Sequence, residues 1–376
     1  MTYDRQLLLE PSIGNTVVDD WKKEGKKVIG TICCHVPEEL IYAAGLLPYR
    51  IRATGCQDDS RGEEWMSSWA CSYCRSCLQF LLDGRYEFLD GIICSDGCLM
   101  AGRIFDNWIY AGGKDESYMM AQIGAPRVRS QQSLDFYVQQ LTALKKKLEC
   151  FTGKSITDDT IKDAVAVYNK TRFLIRKLYE LRKAEYPQIT GEECLKLTLA
   201  AMSLPKPLYN DMLEEKIKEI QQRPPLRDFR ARLMIIGSAL DDPAYLKVIE
   251  DAGGLIVTDL NCFGSRYLWS SVTVETPVLE SLAKAYLENI VCPRMVDMHT
   301  DILQLIVDMA REYRVDGIIF TKMQNCELWG CEGLYFYQKL QEAGYPVLNL
   351  EREEIMTSTG QLSIRAEAFV EILEEE

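Results

Sequence analysis

Six of the fourteen cysteines in this chain of 376 residues stand in three close pairs. A [4Fe-4S] cluster is held by cysteine thiolates, so three segments that each donate one cysteine would leave one of its four irons without a protein ligand. Three segments that each donate two could hold two such clusters side by side. An iron without a thiolate is a place where a substrate could bind, so the pattern predicts low-potential redox chemistry. The pairs are Cys71 and Cys74, Cys94 and Cys98, and Cys326 and Cys331.

A structural zinc site is the main alternative to iron–sulfur chemistry. The first two pairs could form a tetrahedral site of four thiolates. That arrangement would leave Cys326 and Cys331 unexplained. Cys77 follows Cys74 on the same face of a predicted helix, and either could be the second ligand of its segment. We choose Cys74.

The other cysteines have less informative surroundings. Cys33 and Cys34 end the first predicted strand and could approach the same cleft, although a place in the core is at least as good an interpretation. Five further cysteines have no second cysteine nearby, and we expect them to be buried because free cysteine is among the most buried residue types. These five are Cys56, Cys150, Cys194, Cys262 and Cys292.

His35 is one of only two histidines and precedes Glu38 and Glu39. A histidine or carboxylate beside a reducing cluster can deliver protons as a general acid. These three residues are therefore candidate catalytic residues. A purely electrostatic role at a helix N-terminus is the alternative for Glu39. With so few histidines, hydrolytic chemistry gains little support.

The composition is that of a globular protein without a nucleic-acid partner. Apolar residues make up 47% and charged residues 26% of the chain, close to the globular average. The net charge of −13 argues against nucleic acid, whose binding surfaces are basic. No apolar run reaches the length of about 18 residues that a membrane helix needs, and residues 1–11 do not resemble a secretory signal. We therefore expect a cytoplasmic protein with reduced thiols.

Hydrophobic patterns divide the chain into three segments. Residues 1–130 and 226–376 alternate short apolar runs with helical patterns, which is typical of parallel α/β domains of the Rossmann or flavodoxin type. Residues 131–225 have helical periodicity, which Pro224 and Pro225 end. Ligands of open α/β sheets bind beyond the carboxyl ends of strands. The cysteine pairs fall near such ends, so we expect the cluster in the cleft between the two domains.

Several segments stand in a characteristic order: residues 33–48, Cys71 with Ser72, residues 90–92, residues 316–320, and residues 344–348 with Glu351. As an ordered set they resemble the family of 2-hydroxyacyl-CoA dehydratases and benzoyl-CoA reductases. The resemblance implies two α/β domains with an iron–sulfur cluster between them. It also implies electrons from a separate ATP-hydrolysing [4Fe-4S] reductase, in agreement with the absence of a Walker A motif from this sequence.

The resemblance also implies a ligand set. In dehydratase subunits three cysteines hold the cluster, and the matching positions here are Cys71, Cys98 and Cys326. This sequence departs from that pattern because Leu99 stands where an Asp commonly follows the second cysteine, and because each ligand has a cysteine partner. Six cysteines in one subunit resemble the double-cubane branch of the family, in which two [4Fe-4S] units share a bridging sulfide. That branch implies ATP-dependent reduction of a small molecule.

We therefore expect a homodimeric oxidoreductase whose double-cubane [8Fe-9S] cluster is held by the six paired cysteines. It would reduce a small-molecule substrate, and we expect no membrane and no nucleic-acid partner. Two alternatives remain open. One is a subunit of a hetero-oligomeric dehydratase or benzoyl-CoA reductase with a single [4Fe-4S] cluster and a pocket for a CoA thioester. The other is an electron-carrying or cluster-delivery protein without a substrate of its own.

Overall fold

Two parallel four-stranded sheets form the framework of the chain. The computed structural model describes residue 8 and residues 10–112, 117–268, 271–357 and 359–375. Most of the segment used to predict the absence of a secretory signal, residues 1–7 and 9, lies outside the described residues. The strands of the first sheet are β1 (Val28–Ile32), β2 (Leu47–Arg50), β3 (Gly91–Ser95) and β4 (Met119–Ile123). Those of the second sheet are β5 (Ala231–Gly237), β6 (Gly254–Leu260), β7 (Gly317–Met323) and β8 (Val347–Arg352).

Both sheets have the same strand order. The first runs β2-β1-β3-β4 and the second β6-β5-β7-β8, with every neighbouring pair parallel. In each sheet the second strand in sequence lies on one side of the first, and the third and fourth strands lie on its other side. This is the flavodoxin-like order. The predicted α/β class with two parallel-sheet domains is therefore confirmed.

Helices cover the sheets and fill the middle of the sequence. The first part contains α1 (Thr16–Lys23), α2 (Glu38–Ala43), α3 (Ser60–Trp65), α4 (Ser72–Leu82) and α5 (Leu99–Gly112). The middle contains α6 (Gln131–Thr152), α7 (Asp158–Glu180), a 3-10 turn (Leu181–Lys183), α8 (Gly191–Ala201) and α9 (Lys206–Ile220). The last part contains α10 (Pro243–Asp251), α11 (Ser265–Leu268), α12 (Val278–Glu288), α13 (His299–Glu312), α14 (Glu327–Glu342) and α15 (Thr359–Glu375). None of the described helices combines the length and apolar character needed to cross a membrane.

The ends of the long middle helices follow from local sequence. The Ser130 hydroxyl accepts a hydrogen bond from the Ser133 N–H at the start of α6, and Gly153 ends that helix with a φ of +67°. Thr157 and Thr160 form a capping box at the start of α7. The boundaries predicted at residues 130 and 225 fall between β4 and α6 and between α9 and β5.

Strand β4 is the described strand that the sequence patterns did not single out. It lies at the edge of the first sheet, and its five residues alternate between the interior and a more accessible face, where Gln122 is exposed. An edge strand with one accessible face lacks the continuous apolar run that marks the central strands of a parallel sheet. Its short MMAQI sequence therefore carries a weak signal.

Buried hydrogen bonds join the two sheet domains near their strand ends. The Asp241 carboxylate accepts a hydrogen bond of 2.6 Å from the Ala53 N–H, and the backbone carbonyl oxygen of Asp241 accepts one of 2.7 Å from the Thr54 hydroxyl. The Ser72 hydroxyl accepts a bond of 2.8 Å from the Glu354 N–H. Leaving such a buried group unpaired costs about 1–3 kcal/mol. These bonds therefore fix the relative position of the two sets of strand ends.

Glu250, at the end of α10, joins helix α8 to strand β6. Its carboxylate accepts hydrogen bonds from the N–H groups of Gly191 (2.6 Å), Glu192 (3.1 Å) and Ile256 (3.2 Å). Burial raises the pKa of Glu250 to about 7, and the three N–H donors act in the opposite direction. The folded chain therefore holds a proton at Glu250 more tightly than the unfolded chain does.

We expect this carboxyl group to make stability depend on pH. Because its pKa rises from 4.5 to about 7 on folding, its stabilising contribution is complete below about pH 4.5 and is lost as pH rises through 7. The loss should be about 3 kcal/mol. Glu250→Gln cannot ionise, so urea unfolding of the parent and the variant between about pH 5 and about pH 8 should show a flatter dependence in the variant. Equal slopes would contradict this assignment.

Candidate metal centre

A cavity of about 140 Å³ lies where the carboxyl ends of the two sheets meet. Residues that follow β1 and β3 line it from the first sheet, and residues that follow β5 and β7 line it from the second. In each sheet these two strands flank the point at which the strand order reverses, where open α/β sheets bind their ligands. The cysteines that line the cavity are Cys33, Cys34, Cys71, Cys74, Cys77, Cys98, Cys262, Cys292 and Cys326.

Three of these cysteines each stand directly before a helix. Cys71 is the N-cap of α4, Cys326 is the N-cap of α14, and Cys98 immediately precedes α5. A helix N-terminus carries partial positive charge, which stabilises a thiolate. The amide nitrogen of Ala101 lies 3.3 Å from Cys98 Sγ. We call Cys71, Cys98 and Cys326 the helix-terminal group; they are the positions that the family resemblance implied as ligands.

Burial and hydrogen bonding act in opposite directions on these thiols. The hydrogen bond from the Cys74 thiol lowers the pKa of Cys71, and the same bond raises the pKa of Cys74. Burial raises the pKa of Cys98 and of Cys326, against N–H donors in the following helix and, for Cys326, the Ser238 hydroxyl. A bound metal ion removes the proton of a coordinating thiol. The helix-terminal group is therefore suited to become fully ionised when a cation binds.

Cys33 lies at the end of β1 in a left-handed backbone conformation. Its φ is +77°, which is uncommon for a non-glycine residue and is concentrated at functional sites. Its Sγ fills the space beside Gly97, where an added Cβ would lie 2.5 Å from the sulfur. The hydrogen bond from the Cys34 thiol lowers the pKa of Cys33 and raises the pKa of Cys34. Cys33 is therefore the more acidic thiol of the two.

Cys262 and Cys292 are ligand candidates that the sequence analysis assigned to the core. Cys262 follows β6, and Cys292 lies between α12 and α13. Arg266 Nη1 lies 3.5 Å from Cys292 Sγ. Both cysteines line the cavity. A signal was available for Cys262, because it lies two residues after a buried strand, and Cys98 and Cys326 also closely follow strands. Cys292 follows no strand and carries no comparable signal.

Three of the five cysteines that were predicted to be buried are buried: Cys56, Cys194 and Cys292. Cys262 is only partly buried. The predicted burial of Cys150 is wrong, because it lies on the exposed side of α6. Cys77 is fully buried and also lines the cavity, so both candidates of its segment, Cys74 and Cys77, reach it.

Two of the six predicted ligands are not among the residues that line the cavity. The Cys94 sulfur is buried in the apolar core of the first domain, 3.1 Å from the Ser95 carbonyl oxygen and 3.4 Å from that of Ala101. Cys331 is exposed on α14. It lies five residues after Cys326, so the helix turns it away by about 140°. The predicted ligands that the structure brings together are Cys71, Cys74, Cys98 and Cys326.

His35 lies next to the cavity cysteines of β1. Its Nδ1 is 3.6 Å from Cys33 Sγ and 3.9 Å from Cys34 Sγ. The ligand atoms of these three residues all lie within 4.8 Å of one another, close enough to share a metal ion. Burial lowers the pKa of His35, and its Nε2 has no hydrogen-bond partner among the described residues. Its proton-donating role stays a prediction.

Glu38 and Glu39 lie in buried ion pairs and are not among the cavity-lining residues. Glu38 Oε2 is 3.3 Å from Lys206 Nζ. Glu39 Oε1 is 2.5 Å from Arg172 Nη2, and its other oxygen accepts a hydrogen bond of 2.6 Å from the Tyr286 hydroxyl. These contacts tie α2 to α9, α7 and α12. The contacts of both carboxylates are thus structural, and their predicted catalytic roles stay predictions.

Three buried arginines line the cavity together with the thiols. Arg266 and Arg294 donate hydrogen bonds to backbone carbonyl groups around the site. Arg50 is 3% exposed, and two of its nitrogens, Nε and Nη1, have no hydrogen-bond partner among the described residues, whereas Arg266 has one such nitrogen, Nε. Its guanidinium lies 5.4 Å from the centre of the Phe263 ring. A buried cation without an anion costs several kcal/mol, so the cavity is suited to a negatively charged occupant.

The donor set fits an iron–sulfur cluster. Thiolates are the ligands of [4Fe-4S] clusters, and the N–H groups and arginines here supply the hydrogen bonds and positive charge that such a cluster needs. A zinc site takes four ligands, which is fewer than the thiols that line this cavity. The helix-terminal group could hold one cluster, with the other cavity thiols available for a second.

We expect loss of the Glu39 carboxylate to destabilise the fold. Glu39→Ala leaves Arg172 buried without an anion and should lower the free energy of unfolding by about 3–5 kcal/mol in urea titrations. Asp251→Ala, which breaks the exposed ion pair with Lys247, is the control and should cost less than about 1 kcal/mol. Iron bound per folded chain should stay constant in both. A loss of iron at unchanged stability would instead place Glu39 in the functional site.

We expect Gly97→Ala to reduce metal binding. Its added Cβ would lie 2.5 Å from Cys33 Sγ and 3.1 Å from Cys33 Cβ, so Cys33 must move. Gly102→Ala in α5 is the control, because its added Cβ meets nothing closer than 3.9 Å. The control should gain about 0.5–1 kcal/mol of stability and keep its iron, measured by metal analysis. Equal iron in the two variants would show that the position of Cys33 does not matter.

Comparison with known proteins agrees with this geometry. Residues 33–373 match the family model described as 2-hydroxyglutaryl-CoA dehydratase, D-component. The chain is 28% identical over 368 residues to (R)-2-hydroxyglutaryl-CoA dehydratase, subunit beta, of Acidaminococcus fermentans, covering 95% of each chain. It is 26% identical over 362 residues to a benzoyl-CoA reductase subunit of Thauera aromatica, covering 94% of this chain and 92% of the relative. The chain therefore belongs to the 2-hydroxyglutaryl-CoA dehydratase D-component family, as the order of its segments indicated.

Proposed function

We propose that this chain is an iron–sulfur oxidoreductase that reduces a small molecule at a double-cubane cluster in the cavity. The observation that carries the proposal is the convergence of the helix-terminal group with six further thiols on one cavity between two parallel sheets. The relatives are named as dehydratase and reductase subunits, and the family resemblance implies iron–sulfur chemistry. The thiol count supports more than one cluster, because a single [4Fe-4S] unit needs at most four thiolates.

The chain's own residues provide a suitable environment for such a centre. Iron–sulfur clusters supply one-electron transfer at low potential and, at an iron without a thiolate, a position for substrate. Three helix N-termini stabilise thiolate charge at Cys71, Cys98 and Cys326. Arg50 adds an unpaired buried cation, and the buried side chains of Ile104 and Trp329 give the cavity apolar walls. The positive charge around the cavity favours the ionised form of its thiols, whereas burial opposes it.

The size of the cavity favours a small substrate. Its volume of about 140 Å³ is below the range of about 300–1,000 Å³ typical of pockets for drug-sized ligands. A CoA thioester is larger than such ligands, and a cluster would itself occupy part of the space. The cavity therefore supports a substrate of a few heavy atoms.

The proposed partner is a separate ATP-hydrolysing [4Fe-4S] reductase. The sequence contains no Walker A motif of its own, and the family resemblance implies an external electron donor. We further propose that the protein acts as a cytoplasmic homodimer. Its net charge of −13 can orient the approach of a partner with a basic docking face.

A single-cluster subunit is the second candidate function. The helix-terminal group alone could hold one [4Fe-4S] cluster, and it occupies the three positions implied for dehydratase subunits. Such a subunit would act on a CoA thioester in a hetero-oligomer. The dehydratase names of the relatives favour this candidate, whereas the number of thiols that line the cavity favours the double cubane.

Metal analysis tests the cofactor. Protein purified without oxygen should contain about eight irons and a similar amount of acid-labile sulfide per chain if a double cubane is present, and about four if one cluster is present. Stoichiometric zinc without sulfide would contradict both candidates.

Turnover then tests the reaction: with the reductase and ATP, small acceptors should be reduced catalytically. Transfer of a single equivalent without turnover would indicate an electron carrier.

A further inference from the structure

Outside the helix-terminal group, three cavity cysteines come from three separate places in the chain. Cys33 follows β1, Cys262 follows β6, and Cys292 lies between α12 and α13. None of the three forms a disulfide. One thiolate from each of three segments is the number that a cubane needs when its remaining iron binds a bridging sulfide.

These three thiols are electrostatic neighbours. Burial raises the pKa of Cys262, the charges of Cys292 and Cys33 raise it further, and Arg266 and Arg50 lower it. Cys33 also acts on Cys98 of the helix-terminal group. All three thiols line the cavity beside the helix-terminal group. Cys34 lines it too and is affected by the charge of Cys292, but Cys34 is buried whereas Cys33 is partly accessible, so we assign Cys33 to this group.

Two arginines supply positive charge to Cys33, Cys262 and Cys292. Helix N-termini supply it to the helix-terminal group. Arg266 Nη1 lies 3.5 Å from Cys292 Sγ. Arg50 lines the same cavity with unpartnered buried N–H groups. Three thiolates and a cluster would compensate a cation whose burial is otherwise unfavourable by several kcal/mol. The unpaired state of Arg50 is therefore explained if an anionic centre binds here.

Cys74, Cys94 and Cys331 form the sequence pairs with the helix-terminal cysteines. They are less suitable as ligands of a second cluster. The Cys94 sulfur is directed at backbone carbonyl oxygens in the core, and Cys331 is exposed. Cys74 lines the cavity, but its thiol hydrogen-bonds to Cys71 within the first group.

We propose that Cys33, Cys262 and Cys292 are the protein ligands of the second cubane. This assignment rests on the proposed double-cubane function and replaces the pair partners that the sequence spacing indicated. Arg50 and Arg266 are its positioning residues, since they balance the charge of this second group.

Serine variants test the assignment with matched controls. Cys262→Ser and Cys292→Ser should each lose about half of the bound iron and sulfide and keep the reduced-state EPR signal of one [4Fe-4S] cluster. Cys94→Ser and Cys331→Ser, at the positions indicated by sequence spacing, should keep the full content. Cys33→Ser should behave like Cys262→Ser. The iron that each affected variant retains shows that it is folded.

Half the iron lost in C94S or C331S, together with full content in C262S and C292S, would overturn the assignment. If C262S does not fold, C33S and C292S test the same site independently. About four irons in the parent chain would also overturn the second site, but would leave the single-cluster candidate intact. A parent chain without iron and sulfide would overturn the proposed function itself, so the two failures are distinguishable.

Discussion

Concentrated positive charge around one cavity is the constraint on which the rest of the site depends. Helices α4, α5 and α14 begin there, and Arg50, Arg266 and Arg294 line it. Among the lining residues that the structure describes, Glu327 carries the one carboxylate, and that carboxylate accepts a hydrogen bond of 2.8 Å from the Leu99 N–H. Positive charge away from water is unfavourable unless an anion compensates it. The thiols supply that anion when a metal ionises them, so the surroundings select for a thiolate-bound centre.

The topology explains how so many ligands reach one place. A single sheet of this order has one reversal point, with a few loops around it. Two sheets of the same order that face one another double the number of loops at the cavity. Cys33 and Asn325 both have positive φ, of 77° and 59°, and both follow strands that flank a reversal point. Such strain costs about 1–3 kcal/mol for each residue and persists where surrounding contacts fix the backbone.

The sequence predicted the elements better than it predicted which cysteines line the cavity. The predicted helix that carries Cys74 and Cys77 is α4, and the strand predicted before Cys33 is β1, because apolar runs and helix ends are local signals. Closeness in sequence did not bring both members of each pair to the cavity, since the period of a helix turns Cys331 away from Cys326 and strand β3 buries Cys94. Cys262 and Cys292 reach the cavity only through the tertiary fold. The ion pair of Glu39 also forms only through the tertiary fold, because its partner Arg172 lies 133 residues further along the chain.

Those buried ion pairs connect the fold to the cluster site. Glu38 and Glu39 begin α2, a few residues after Cys33 on the same loop. His35 lies between Cys33 and Glu38 in the sequence, and its carbonyl oxygen accepts a hydrogen bond of 2.6 Å from the Tyr137 hydroxyl. Helix α2 is thus held by contacts to α7, α9 and α12, and it holds the end of β1 in turn. In small zinc domains the metal itself orders the ligands; in this chain, buried hydrogen bonds and ion pairs also anchor the elements next to Cys33.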